Sequence, residues 1–261
     1  MTRRLAELRA PEVATRLTPD SIAIQPIGAI EQHGPHLPLG TDIIAAEAAA
    51  EAVVERFGDQ LDLWLLPSLA YGKSNEHHWA PGTIWLNADT LARVLDDIGR
   101  SIAMTPIRRL VFLNGHGGNS SLLNVACREI RLAHGLMTFL AHPSVPADQG
   151  GASTQEEMGM GIHSGLGETS RLLHLRPDLV DMATAERHVP EWLAANRHVR
   201  FGGTVTFGWL SADFDGSGVI GDPTGANAEL GAQQWEAAIA ALGEAFAEIA
   251  RFDYDRQGDP A

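Results

Sequence analysis

Acidic and imidazole side chains are concentrated in the segment IEQHGPHLPLGTD, residues 30–42, which contains Glu31, His33 and Asp42. In an extended backbone, side chains two residues apart point to the same side, so Glu31 and His33 would share one face. Asp42 starts the next segment, where capping of a helix is an equally good interpretation. Imidazole nitrogens and carboxylate oxygens together suit Zn²⁺, Mn²⁺ and Fe²⁺. The segment therefore indicates a metal site without choosing among these metals.

A further candidate ligand is His116, which lies in NGHGGN, residues 114–119, directly after the apolar run RLVFLN. Glycines on both sides of His116 let the backbone turn tightly and approach a ligand closely. The spacing matches neither G-x-G-x-x-G nor a P-loop, which needs Gly-Lys followed by Ser or Thr. The motif therefore favours a metal ligand over a nucleotide-binding loop.

Two more segments contain titratable side chains. His163 and Glu168 are five residues apart in HSGLGETS, although Glu168 would also suit the first turn of a helix on electrostatic grounds. SNEHHWAPGT, residues 74–83, offers Glu76 and His77, and it fits a substrate loop or a surface loop equally well. By themselves these segments do not decide on a function.

The elements that must position these side chains alternate along the chain. Strand-like runs cover 21–30, 61–72, 109–114, 136–141 and 204–210, and helical patterns cover 43–58, 90–104, 120–135, 168–175 and 227–251. This alternation predicts an α/β fold with a mainly parallel sheet covered by helices on both faces. Ligands in such folds bind at the carboxyl ends of the strands, so residues just after Ile30, Tyr71 and Leu113 are candidates.

The composition is that of an ordinary globular protein, with 261 residues of which 44% are hydrophobic. The net charge of −14 argues against nucleic-acid binding, which needs clustered Lys and Arg. Cys127 is the only cysteine, which excludes a disulfide framework and a thiolate-rich metal site. The N-terminal segment lacks the apolar stretch of a signal peptide, and no run reaches the ~20 apolar residues of a membrane span. We expect a soluble cytoplasmic protein without a membrane partner, folded as one domain over residues 1–261.

Five motifs together resemble the creatininase family. They are G-x-x-EQHGPHLPLGTD at 28–42, S-x-EH-x-x-x-PGT at 74–83, NGHGGN at 114–119, H-x-G-x-x-ETS at 163–170 and GVIGDPT at 218–224. The resemblance implies a three-layer α/β/α fold and a centre of two divalent metal ions (Zn, Mn or Fe) that hydrolyses cyclic or linear amides. It also implies homo-oligomers, often hexamers.

Carried over residue by residue, the resemblance implies that Glu31 and His116 hold one metal ion, that His33 holds the other, and that Asp42 bridges both. Creatininase takes one more ligand from a glutamate two residues after its motif histidine, where this chain has Gly118. Glu168 resembles a replacement for that missing glutamate. The resemblance therefore implies that Glu168 is both a metal ligand and a catalytic residue.

The resemblance also bears on catalysis and substrate. His163 matches the histidine that transfers a proton to the leaving nitrogen, a task suited to imidazole, and Ser74 matches a substrate contact. The Trp-Asp pair that encloses creatinine corresponds to Gly159 and Met160, and a tyrosine of that pocket corresponds to Gly117, the second substrate-binding position. These replacements argue against creatinine as the substrate.

The sequence therefore predicts a metal-dependent amidohydrolase that uses a water molecule activated between two metal ions. Its substrate would be a small cyclic amide, a formamide or a short peptide, because the NGHGGN form resembles formamide hydrolases and peptide-cleaving enzymes of redox-cofactor maturation. A metal-assisted lyase or isomerase could use the same ligands. A non-catalytic binding protein is a further alternative, although the full ligand set argues against it.

Overall fold

The computed structural model describes residues 2–145 and 154–254. In these residues a four-stranded sheet has the order β2-β1-β3-β4. Its strands are β1 (Ile22–Ile27), β2 (Leu63–Leu65), β3 (Arg109–Asn114) and β4 (Met137–Ala141), and every pairing is parallel. All residues of β1 and β3 are buried, as expected for central strands that are covered on both faces.

Helices surround this sheet. In the described chain they are α1 (Ala10–Arg16), α2 (Thr41–Leu61), α3 (Ala88–Ala103), α4 (Ser120–His134), α5 (Leu166–Leu175), α6 (Glu191–Ala194) and α7 (Ala228–Arg251). None of the helices in the described ranges is both long and apolar enough to cross a membrane.

Alternate side chains of β3 enter two separate apolar cores. Leu110 and Phe112 pack with buried residues of α3 and α4, whereas Val111 and Leu113 pack with those of α2 and α7. This alternation is the period-two geometry of a strand. The predicted three-layer α/β/α architecture is therefore confirmed.

The strand order places a ligand-binding crevice between β1 and β3. The chain leaves β1 through α2 to reach β2 on one side, and then crosses through α3 to β3 on the other side. At such a reversal the two connections diverge, which opens a crevice at the carboxyl ends of the strands. Glu31 and His116 follow β1 and β3 at this edge.

Two predicted strands differ from the structure. Of the predicted strand 61–72 only Leu63–Leu65 is regular, because Pro67 has no amide hydrogen for the ladder. The prediction of a strand over 204–210 is wrong. Among the described residues, this segment pairs only through an isolated bridge between Val199 and Val205. Its aromatic side chains pack instead against a small core around Met160. Residues 146–153 of the predicted long connection 144–162 lie outside the described residues.

Candidate metal centre

The five predicted metal ligands meet at the carboxyl edge of the sheet. They are Glu31 and His33 after β1, Asp42 in the first turn of α2, His116 after β3 and Glu168 in the first turn of α5. The first four are buried, and the Glu168 side chain is 25% exposed. Gly40, not Asp42, is the N-cap residue of α2, so the alternative interpretation of Asp42 as a helix cap is not observed.

The first ligand group consists of Glu31, Asp42 and His116. His116 Nε2 lies 3.3 Å from Glu31 Oε2, and His116 Nδ1 lies 3.0 Å from Asp42 Oδ2. Burial alone would lower the pKa of His116, but the charges of Glu31 and Asp42 raise it well above its ordinary value. The carboxylates of Glu31 and Asp42 therefore stabilise a positive charge at this position.

The second ligand group consists of His33, Asp42 and Glu168. His33 Nε2 lies 3.3 Å from Asp42 Oδ1 and 4.0 Å from Glu168 Oε2. Asp42 thus directs Oδ2 to the first group and Oδ1 to the second. One carboxylate oxygen for each group is the arrangement expected of a bridging ligand.

Unsatisfied polar atoms support cation binding at this place. Among the buried side-chain atoms that have no hydrogen-bond partner in the described chain are Glu31 Oε1, His33 Nε2 and Asp42 Oδ2. Buried polar atoms without partners are costly and therefore rare. Divalent metal ions would satisfy all three atoms, and the mixture of carboxylates and imidazoles suits Zn²⁺, Mn²⁺ and Fe²⁺.

His163 lies beside the two ligand groups with one ring nitrogen anchored. Its Nε2 donates to the backbone oxygen of Gln32 at 2.8 Å, and its Nδ1 faces Glu31 Oε1 at 3.6 Å. Burial, together with repulsion from the neighbouring imidazoles of His77 and His33, holds the pKa of His163 well below its ordinary value. The neutral ring therefore carries its proton on Nε2 and has a free lone pair on Nδ1. His163 also forms a third possible group with Glu31 and His33, which draws on ligands from the other two.

Gln32 fixes the orientation of His77, a residue of the segment 74–83 to which the sequence assigns no specific role. Gln32 Oε1 accepts from the backbone N–H of Gly34 at 2.9 Å, so its Nε2 donates to the Gly218 oxygen at 3.1 Å and to His77 Nδ1 at 2.7 Å. His77 must then keep its proton on Nε2, which lies 3.5 Å from Glu31 Oε1. The side chain of Gln32 thus orients an imidazole toward a predicted metal ligand.

Glu76 is the other site residue to which the sequence assigns no specific role. Its Oε1 lies 3.3 Å from His116 Nε2, and its Oε2 accepts from Lys73 Nζ at 3.2 Å. Burial raises the pKa of Glu76, but His116 and Lys73 outweigh this effect and lower it to about 2. A Cβ atom at Gly118 would overlap the Glu76 carboxylate, so the missing side chain at 118 makes room for a carboxylate from another loop.

The two predicted substrate positions have different surroundings. Ser74 is fully buried, and its hydroxyl donates to Glu31 Oε2. Gly117 lines a cavity of about 790 Å³ that opens onto the ligand groups. The cavity wall also includes Phe207 and Trp209. The substrate contacts expected of Ser74 and Gly117 stay predictions, and the position of Ser74 favours support of Glu31.

Comparisons with known proteins agree on one family. The family model for creatininase, described as "Creatinine amidohydrolase", matches residues 6–246. "Mycofactocin precursor peptide peptidase" of Mycobacterium ulcerans (strain Agy99) is 40% identical over 215 residues, which are 79% of this chain and 76% of that protein. "Creatinine amidohydrolase" of Pseudomonas putida is 35% identical over 190 residues, covering 66% of this chain and 70% of that protein. The solved structure "Creatininase Mn" superposes with a TM-score of 0.74 at 27% identity and covers 95% of this chain and 98% of its own.

Proposed function

The chain belongs to the creatininase family and is a hydrolase of carbon–nitrogen bonds, and from this premise we propose that it is an amidohydrolase dependent on two divalent metal ions. Glu31 and His116 would hold one ion, His33 and Glu168 the other, and Asp42 both. The observation that carries this proposal is the position of Asp42, whose two oxygens face different ligand groups. The structural relative named "Creatininase Mn" also supports the proposal that the protein depends on a metal ion.

The metal ions would activate a water molecule, because a bound divalent ion lowers the pKa of water enough for hydroxide to form and attack an amide carbonyl near neutral pH. Glu31, Asp42 and Glu168 would contribute the negative charge that holds the ions. Ser74 and His77 both contact Glu31 and limit its rotation, whereas Glu76 does the same for His116. These contacts would hold the ligands in one geometry, as outer partners of metal ligands do.

We assign proton transfer to His163. Its Nδ1 lone pair faces the ligand groups, and its Nε2 is held by the backbone oxygen of Gln32. A neutral imidazole in this position can take a proton at Nδ1 and return it to the leaving nitrogen, which must be protonated to depart as an amine.

The substrate we favour is a short peptide or a peptide-like amide. The relative named for peptide cleavage is 40% identical to this chain, against 35% over a shorter match for the creatinine amidohydrolase. Met160 occupies a position that encloses creatinine in creatininase, and here it is buried in an apolar core. The cavity of about 790 Å³ lies within the usual range for drug-sized ligands, about 300–1,000 Å³.

Three further expectations from the sequence remain predictions. They are a single domain over residues 1–261, a cytoplasmic location, and assembly into homo-oligomers such as hexamers.

Turnover in ¹⁸O-labelled water tests the proposed reaction. We expect the protein, supplied separately with Mn²⁺, Zn²⁺ or Fe²⁺, to convert at least one member of a panel of lactams, hydantoins, formamides and short peptides. Mass spectrometry should find one ¹⁸O atom in each new carboxylate, because hydrolysis adds a water oxygen to the acyl carbon. Product without label would instead indicate a lyase or isomerase, and binding without turnover would indicate a non-catalytic protein.

A further inference from the structure

Arg171 is a cation in the cavity wall for which the described residues supply no counter-ion. It lies three residues after Glu168 on α5, so both side chains lie on the same face of the helix, and both line the cavity. Across residues 2–145 and 154–254, the guanidinium of Arg171 has neither a hydrogen bond nor an ion pair. Burial lowers its pKa, and the charges of Glu168 and Asp42 only partly offset this effect.

The other described arginines show that a half-buried guanidinium without a hydrogen bond or ion pair is unusual in this protein. Within the described residues, the remaining arginines without a hydrogen bond or ion pair are all exposed to solvent: Arg93, Arg128 and Arg197. Water satisfies a guanidinium at such places. Arg171 is half-buried at the wall of a cavity that also has aromatic and aliphatic lining. Leaving a charged group partly desolvated and unpaired is costly, which points to a missing anionic partner.

Metal binding would leave Arg171 available for such a partner. Three carboxylates of the two ligand groups carry three negative charges, and two divalent ions would carry four positive ones. The attraction of Glu168 and Asp42 for the guanidinium would then disappear. Lys73 also lines the cavity, but Glu76 already pairs with it at 3.2 Å.

We propose that Arg171 binds a carboxylate group of the substrate, so that the enzyme acts on amides that carry a carboxylate near the scissile bond. This inference rests on the proposed amidohydrolase function. The planar guanidinium presents paired N–H donors that match the two oxygens of a carboxylate. One end of the substrate would lie at the ligand groups and the anionic end at α5, one helical turn beyond Glu168.

Matched probes test this assignment. Triglycine and N-formylglycine each carry a carboxylate, and triglycinamide and N-formylglycinamide are the same amides without it. Hydrolysis and binding of each probe by the metal-loaded protein should be measured for wild type, Arg171→Gln, Arg171→Lys and the exposed-arginine control Arg93→Gln. We expect Arg171→Gln to weaken binding and kcat/KM for the carboxylate probes about 10- to 100-fold, the range for a lost hydrogen bond to a charged group. The fall in kcat/KM should come mainly from a higher KM.

The outcomes separate the two proposals. For the two probes without a carboxylate, triglycinamide and N-formylglycinamide, binding and kcat/KM should change by less than about twofold in Arg171→Gln. Arg171→Lys should retain part of the preference for carboxylate probes. Arg93→Gln should behave as wild type. The inference would be overturned if Arg171→Gln lost the same factor in kcat/KM for the amide probes as for the carboxylate probes, or if wild type showed no preference for the carboxylate probes. Tighter binding of inorganic phosphate than of triglycine would also overturn it. Carboxylate-dependent binding without hydrolysis would support the Arg171 site and count against the proposed reaction.

Discussion

Replacing Asp42 with asparagine is expected to lower kcat/KM by about 1,000-fold or more, the scale of losing a group that stabilises charge in an active site. Asparagine keeps the shape of the side chain but removes its charge. Because one oxygen of Asp42 faces each ligand group, this single change weakens both proposed metal positions. Metal content after gel filtration should fall with activity, and the rise in Tm on adding metal should shrink.

Asp97→Asn is the matched control, since Asp97 is an exposed residue of α3 that pairs with Arg100 on the surface. Its metal content and activity should equal those of wild type. Circular dichroism of the metal-free Asp42→Asn protein should confirm a native fold. Wild-type metal content in Asp42→Asn would refute a bridging role for this residue.

Replacing His163 with asparagine is expected to lower kcat by about 100- to 10,000-fold while the metal content stays unchanged. The reason is that Nδ1 is the atom we assign to proton transfer, and the ring is not needed by the two ligand groups that share Asp42. The loss should be largest for amides with basic leaving amines. It should shrink for a p-nitroanilide, whose leaving group needs less protonation.

His78→Asn serves as the control for His163, because His78 is exposed and, among the described residues, its ring hydrogen-bonds only to the backbone oxygen of Asn75. We expect wild-type kinetics for it. If His163→Asn instead lost one equivalent of metal, the group formed by Glu31, His33 and His163 would be the better description of the second metal position. An equal loss for all leaving groups would also argue against proton transfer.

Much of the site could be predicted from the sequence because local rules place its residues. The period-two alternation of an extended chain predicts that Glu31 and His33 share a face, and in the structure His33 Nε2 lies 4.0 Å from Glu31 Oε1 although β1 already ends at Ile27. The strand before them ends at the carboxyl edge, where ligands bind. His116 follows the most regular apolar run of the chain, β3, whose bounds were predicted correctly. Such features depend on neighbours in sequence and need no knowledge of tertiary contacts.

The contacts around these ligands could not be predicted, because they join distant segments. Gln32 alternates with Glu31 and His33, which predicts a side chain on the opposite face, yet it reaches His77, 45 residues away. The contact of Glu76 with His116 depends on the space beside Gly118. The segment 204–210 alternates like a strand, but its aromatic residues pack on a local core instead of joining the sheet.

The ratio of bound metal to protein tests the central claim most directly. Apoprotein reconstituted with Mn²⁺, Zn²⁺ or Fe²⁺ and freed of excess ions should contain two equivalents per chain by inductively coupled plasma mass spectrometry. Glu168→Gln should contain about one equivalent, because it removes a charged ligand from the group with His33 and leaves the group with His116 intact. Two equivalents in wild type and one in Glu168→Gln would support the account. One equivalent or less in wild type would contradict it.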